Sequence, residues 1–164
     1  MTAWAAKKDE IYDLYRELIL DHARKPRHFG RLDQATHSAQ GINPLCGDKL
    51  SLYVVVGENG RFEDVSFEGS GCAISVASAS LLTDTIIGLR VEQAQALFDA
   101  VTSRLTGAEA HDENDLDANF ETRYEKLVAL DGVREFPSRV KCATLAWHAL
   151  HSALNGQAVP ATTE

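Results

Sequence analysis

The hydrophobic positions change period several times along the chain, and each change marks an element. Ile11, Leu14, Tyr15, Leu18 and Ile19 recur at helical spacing, so Asp9 to Lys25 is expected to form an amphipathic helix. Its acids come early and its bases late, as the helix dipole favours, and Pro26 stops it. Arg27 to Pro44 is polar and irregular, with one short edge strand expected near Ser38–Ile42. Leu50, Leu52, Val54 and Val56 then alternate, the period of a strand with one buried face. Glu58-Asn59-Gly60 reads as a hairpin turn, because Asn-Gly readily takes positive φ. Arg61 to Glu68 is the returning strand, carrying Phe62, Val65 and Phe67.

Gly69-Ser70-Gly71-Cys72 breaks this pattern and opens a segment from Ala73 to Gly88. Small residues fill its first half and Leu and Ile its second, as expected of a helix packed closely against a neighbour and ended by Gly88. Val91 to Leu105 forms a second helix with Gly107 as its stop, and a short helix is expected around Tyr124–Leu130. Phe136-Pro137-Ser138 sets the last boundary, with Ser138 suited to an N-cap. The final helix, Arg139 to Asn155, ends at Asn155-Gly156, and residues 157–164 read as a flexible tail. A small antiparallel sheet of about three strands followed by several helices is an α+β fold. With no internal repeat and no long linker, residues 1–164 are expected to make one domain.

Composition narrows the function classes. With 45% hydrophobic residues the chain can bury a core without disulfides, and no apolar run approaches the ~18 residues a bilayer span requires. The opening MTAWAAKKDE places its lysines after the short apolar stretch, the wrong order for a secretory signal, so a cytoplasmic protein is expected. A formal charge of −8 argues against nucleic-acid binding. Ala108 to Glu125 alone holds seven carboxylates against one arginine, Arg123, and reads as a solvated loop or a docking surface for a basic partner.

Three widely spaced cysteines do not suggest a disulfide framework. All three fall at element boundaries, where a core-filling cysteine has no reason to be. Cys46 lies in a turn before the first long strand, Cys72 begins a helix, and Cys142 lies in about the first turn of the last helix. Helix N-termini favour thiolate, the form that binds metal and attacks sulfur. Glycines at 47, 69 and 71 let the backbone bend tightly, and Asp48 places a carboxylate beside the thiolates. Three thiolates and a carboxylate suit tetrahedral zinc. From the residues alone, a metal or thiol site and three unrelated cysteines both stand. His22 and His28 flank Lys25-Pro26 and read as structural or solvent-exposed, and His148 and His151 read as surface or packing residues of the last helix.

The motifs point further. Asp21-His22 with Lys25-Pro26-Arg27, then Asn43-Pro44-Leu45-Cys46-Gly47-Asp48, resemble the opening of the iron–sulfur scaffold superfamily that includes IscU and the N-terminal part of NifU. Gly69-Ser70-Gly71-Cys72-Ala73-Ile74-Ser75 is similar to its second cysteine motif, and Phe136 to Trp147 to its third. Within that superfamily two features resemble the SufU branch. Lys141 stands where IscU members carry a histidine before the third cysteine, and the acidic segment near 108–120 looks like the SufU insertion.

The resemblance implies a SufU/IscU-like fold and one zinc ion held by Cys46, Asp48, Cys72 and Cys142. It implies a partner, a PLP-dependent cysteine desulfurase of the SufS type, for which such a protein is second substrate and activator. Cys46 would accept the persulfide sulfur, and a downstream iron–sulfur scaffold would receive it. Arg139, one turn before Cys142, is placed to steer the persulfide or Cys46 by its charge, although it reads equally as a solvent-facing residue; Lys141 reads as surface. The alternative is a scaffold that assembles a [2Fe–2S] cluster on the same four residues. A purely structural zinc domain is the third class.

Overall fold

A computed structural model describes residues 15–106, 126–133, 136–156 and 161–162. Helix α1 occupies 15–24 and stops before Pro26; its expected start at Asp9 lies outside the described residues. Three antiparallel strands follow, β1 (His37–Asn43), β2 (Asp48–Val56) and β3 (Phe62–Ser70), then helices α2 (Ala73–Ile86) and α3 (Val91–Thr106). A 3-10 segment, Val128–Val133, precedes helix α4 (Pro137–Leu154), and β4 (Ala161–Thr162) closes the order. The sheet runs β3-β2-β1-β4, with α2 and α4 packed across one face. Among the described residues no helix is long and apolar enough to cross a membrane.

The α+β expectation holds, and the details differ where packing overrides pattern. The alternation Leu50, Leu52, Val54 faces the core as read, each at most 1% exposed. Strand β3 carries a bulge: Val55 pairs with Asp64 but Val56 with Phe62. The extra residue brings Phe62, Val65 and Phe67 to the same buried face although their spacing is not a strict period of two. Strand β1 is longer than expected and lies between β2 and the two-residue parallel β4, so it is not a free edge. Its inward positions include Gly41, where an added Cβ would lie 3.1 Å from Leu145 Cδ1. Helix α4 comes that close because β1 keeps its inner face small, which is also why β1 carries no hydrophobic signature.

At the β2–β3 turn Gly60 has φ +75°, while Asn59 is not among the positive-φ residues, so the expected Asn-Gly pair of positive angles is replaced by a longer loop closed from Gly57 to Arg61. Ser138 is not the N-cap of α4. Phe136 takes that place without a side-chain bond, and Pro137 occupies the first turn, where its missing N–H costs nothing. The expected helix near Tyr124–Leu130 is described only from Lys126, as one α-turn passing into the 3-10 segment. The acidic segment and the stop at Gly107 lie outside the described residues. Ala161 and Thr162, in the stretch read as a tail, pair with Gly41 and Ile42.

Candidate metal centre

Sheet and helices converge at one end of the molecule, and the three cysteine motifs meet there. Asn43 ends β1 and Asp48 begins β2 directly opposite it, so 44–47 form the loop of a second hairpin with Cys46 near its tip. Gly47 takes φ +72°, which turns the chain back between Cys46 and Asp48. Cys72 is the N-cap of α2, its sulfur accepting the Ser75 N–H at 3.5 Å. Cys142 lies deeper in α4 than its sequence context suggests. The helix begins at Pro137, which places Cys142 in the second turn and removes the helix-end advantage for its thiolate.

The cysteines form a gradient: Cys46 is exposed, Cys72 half-buried and Cys142 buried. The Cys142 and Cys46 sulfurs stand 3.4 Å apart. Ligand atoms of Cys46, Asp48 and Cys142 all lie within 4.8 Å of one another. The Cys72 sulfur is outside that group, though its thiol is among the neighbours that raise the Cys142 pKa. Three of the four expected ligands are thus gathered, and the fourth adjoins them.

Asp48 is held more firmly than any other donor of the set. Its Oδ1 accepts the Cys72 N–H at 2.8 Å, and its Oδ2 accepts the Ser75 hydroxyl at 2.7 Å and the Asn43 amide at 3.3 Å. Burial alone would push its carboxyl up, but these bonds hold it below the usual carboxylate range. Gly71 makes room, since a Cβ there would lie 2.6 Å from Asp48 Oδ1. Burial pushes the Cys142 thiol well up, and Asp48, Cys46 and Cys72 add to the shift. A buried sulfur among acceptors and thiols lacks a counter-charge, and a divalent cation supplies one. Soft sulfurs with one hard carboxylate are a donor set that zinc accepts.

The remaining predicted residues sit apart from this cluster or at its rim. Arg139 is exposed, its guanidinium 5.9 Å from the Phe136 ring centroid. Lys141 is half-buried. His148 and His151 pack on Phe98 of α3, with ring centroids 5.4 and 4.8 Å away, as packing residues do. His22 is buried and its Nδ1 lies 2.7 Å from Ser80 Oγ, a structural tie, while His28 is exposed. Asn43 and Ser75, both buried and both bonded to Asp48, carry no sequence signal beyond their place inside the cysteine motifs.

Comparison with known proteins shows the family and the fold. Residues 14–158 match the model of the NifU-like N terminal domain. The chain is 40% identical over 149 residues to the iron–sulfur cluster assembly scaffold protein IscU of Streptococcus pyogenes serotype M1, covering 91% of this chain and 87% of that one. It is 39% identical to the zinc-dependent sulfurtransferase SufU of Bacillus subtilis (strain 168), over 84% of this chain and 86% of the relative. A solved structure of a candidate SUF-system scaffold from Fervidobacterium islandicum AW-1 superposes with a TM-score of 0.71 at 32% identity, over 84% of this chain and 94% of that one. With its three cysteine motifs gathered at one end of an IscU/SufU-like fold, the chain belongs to the NifU-like N-terminal domain family of iron–sulfur cluster assembly proteins.

Proposed function

We propose that the chain is a zinc-dependent sulfur acceptor that takes persulfide sulfur from a SufS-type cysteine desulfurase and passes it to a downstream iron–sulfur scaffold. The observation that carries this reading is the exposed Cys46 sulfur 3.4 Å from the buried Cys142 sulfur, one thiol accessible to a partner and the other anchored beneath it. Cys46, Asp48, Cys72 and Cys142 would hold the zinc, which supplies a redox-inert positive charge that keeps thiolates nucleophilic without oxidising them. The Cys46 thiolate attacks the outer sulfur of the donor persulfide. A new S–S bond forms on Cys46 as the donor's S–S bond breaks, and the donor cysteine leaves as a thiolate, with no net redox change. The exposed Arg139 would attract the anionic donor.

Lys141 in place of the IscU histidine favours this reading over cluster assembly, and the SufU relative carries zinc dependence in its own name. The [2Fe–2S] scaffold remains the second reading, favoured by the name of the Streptococcus relative. Incubating the protein with a SufS-type desulfurase and cysteine, then locating the persulfide by mass spectrometry, separates them. The extra sulfur is expected on Cys46, and Cys46→Ser is expected to abolish both the modification and the stimulation of the desulfurase. Transfer of an intact cluster from anaerobically reconstituted protein to an apo-acceptor, without a Cys46 persulfide, would favour the scaffold instead.

A further inference from the structure

Asn43 touches the side chains of two expected ligands from a third element without being a ligand itself. It is 1% exposed at the end of β1, opposite Asp48 in the sheet register. Its Nδ2 donates to Asp48 Oδ2 at 3.3 Å and to Cys142 Sγ at 3.5 Å, joining β2 and α4 through one amide. An –NH2 group has two hydrogens and can serve both acceptors together. The opposite amide orientation would set Oδ1 against a carboxylate and a sulfur, so the chemistry of its neighbours fixes which way Asn43 points. The cost appears on the other side: Asn43 Oδ1 is buried with no hydrogen-bond partner. A buried carbonyl oxygen left without a partner is unfavourable. The side chain satisfies its two donors at the expense of its acceptor.

We propose that Asn43 is a positioning residue of the metal centre, its amide clamping the Asp48 carboxylate and the Cys142 thiolate side by side. With a metal bound both groups would be anionic, and the shared amide would offset part of their mutual repulsion while holding both at one separation. The N–H···S bond also withdraws electron density from the thiolate and tempers its donation to a metal. Outer contacts of this kind typically contribute about 10–100-fold to metal affinity. The inference rests on the reading of this cluster as a metal centre.

The test uses cobalt(II) as a spectroscopic stand-in for zinc, with zinc affinity measured by competition against a chromophoric chelator. Wild type, Asn43→Leu (the same branching, no amide), Asn43→Ala and a Cys142→Ser control are compared. Wild type is expected to bind one metal with an intense sulfur-to-cobalt charge-transfer band. Both Asn43 variants are expected to lose about 10–100-fold in affinity, with the band moved to longer wavelength because the thiolate has become a stronger donor. Unchanged affinity and an unchanged band in either folded variant would overturn the proposal. So would failure of both variants to reach the wild-type far-UV circular dichroism with or without zinc, which would make Asn43 a folding residue. If wild type binds neither metal, or Cys142→Ser binds as tightly, the metal-centre reading itself fails and this proposal with it.

Discussion

Gly71 shows how closely the site is fitted around one carboxylate. Its backbone is not in the left-handed region, so an alanine is conformationally acceptable there, yet its Cβ would fall 2.6 Å from Asp48 Oδ1 and 3.1 Å from Cγ. Asp48 has nowhere simple to go, because Ser75 and Asn43 hold its other oxygen. Gly71→Ala is therefore expected to break the Cys72 N–H bond and to destabilise the metal-free protein by about 1–3 kcal/mol, read from urea unfolding. A midpoint equal to wild type would mean that the carboxylate is free to shift. At this scale the sequence revealed the groups with distinctive chemistry. Cysteines near element boundaries and an aspartate beside one of them leave a site and three unrelated cysteines as equal readings, and only the motif resemblance selects the ligands. Asn43 and Ser75 stay hidden, since an Asn before Pro reads as a turn and a Ser in a small-residue helix reads as packing.

Between elements, the contact of α2 with α4 depends on a small polar residue at the crossing. Ser78 is fully buried; its hydroxyl donates to the Ala143 carbonyl and accepts the Trp147 indole N–H at 3.3 Å. Ser78→Ala keeps the close approach but leaves the Trp147 indole N–H without its acceptor in the core and removes the second bond to the Ala143 carbonyl. It is expected to lower the unfolding free energy by about 1–3 kcal/mol, checked by denaturant titration followed by far-UV circular dichroism. A change of a few tenths would show that the indole finds another acceptor. The small-residue run from Ala73 was legible as a closely packed helix for this very reason. Strand β1 was only partly legible: facing α4 across Gly41 it needs small residues on its inner face, and with Ile42 as its single large aliphatic residue it shows no hydrophobic alternation. The β3 bulge was invisible because one inserted residue, Glu63, breaks the alternation that marks a strand.

Over the whole molecule, α1 and the segment after it are tied to the middle of α2, and that tie is expected to respond to pH. His22 Nδ1 and the Arg27 N–H both meet Ser80 Oγ, at 2.7 and 2.8 Å, linking the N-terminal helix to the middle of α2. Burial lowers the His22 pKa below 6.5, Arg27 and Lys126 lower it further, and Asp84 and Asp21 only partly oppose them. The folded state therefore resists a proton that the unfolded chain accepts as pH falls past about 6.5. The unfolded state binds more protons in that window, so stability is full above it, declines as pH falls, and levels off below the folded pKa. His148, lowered by burial and by His151, acts with the same sign. Asp48 also loses stabilising charge on acidification, but its pKa is lowered from 3.8 and its window lies further down. Melting temperatures recorded from about pH 8 to pH 5 should fall for wild type and fall less for His22→Gln, with His148→Gln removing a separate share. Parallel curves for wild type and His22→Gln would mean that the buried imidazole takes up its proton without disturbing Ser80, and that α1 is held by its apolar contacts through Leu18 and Ile19 alone.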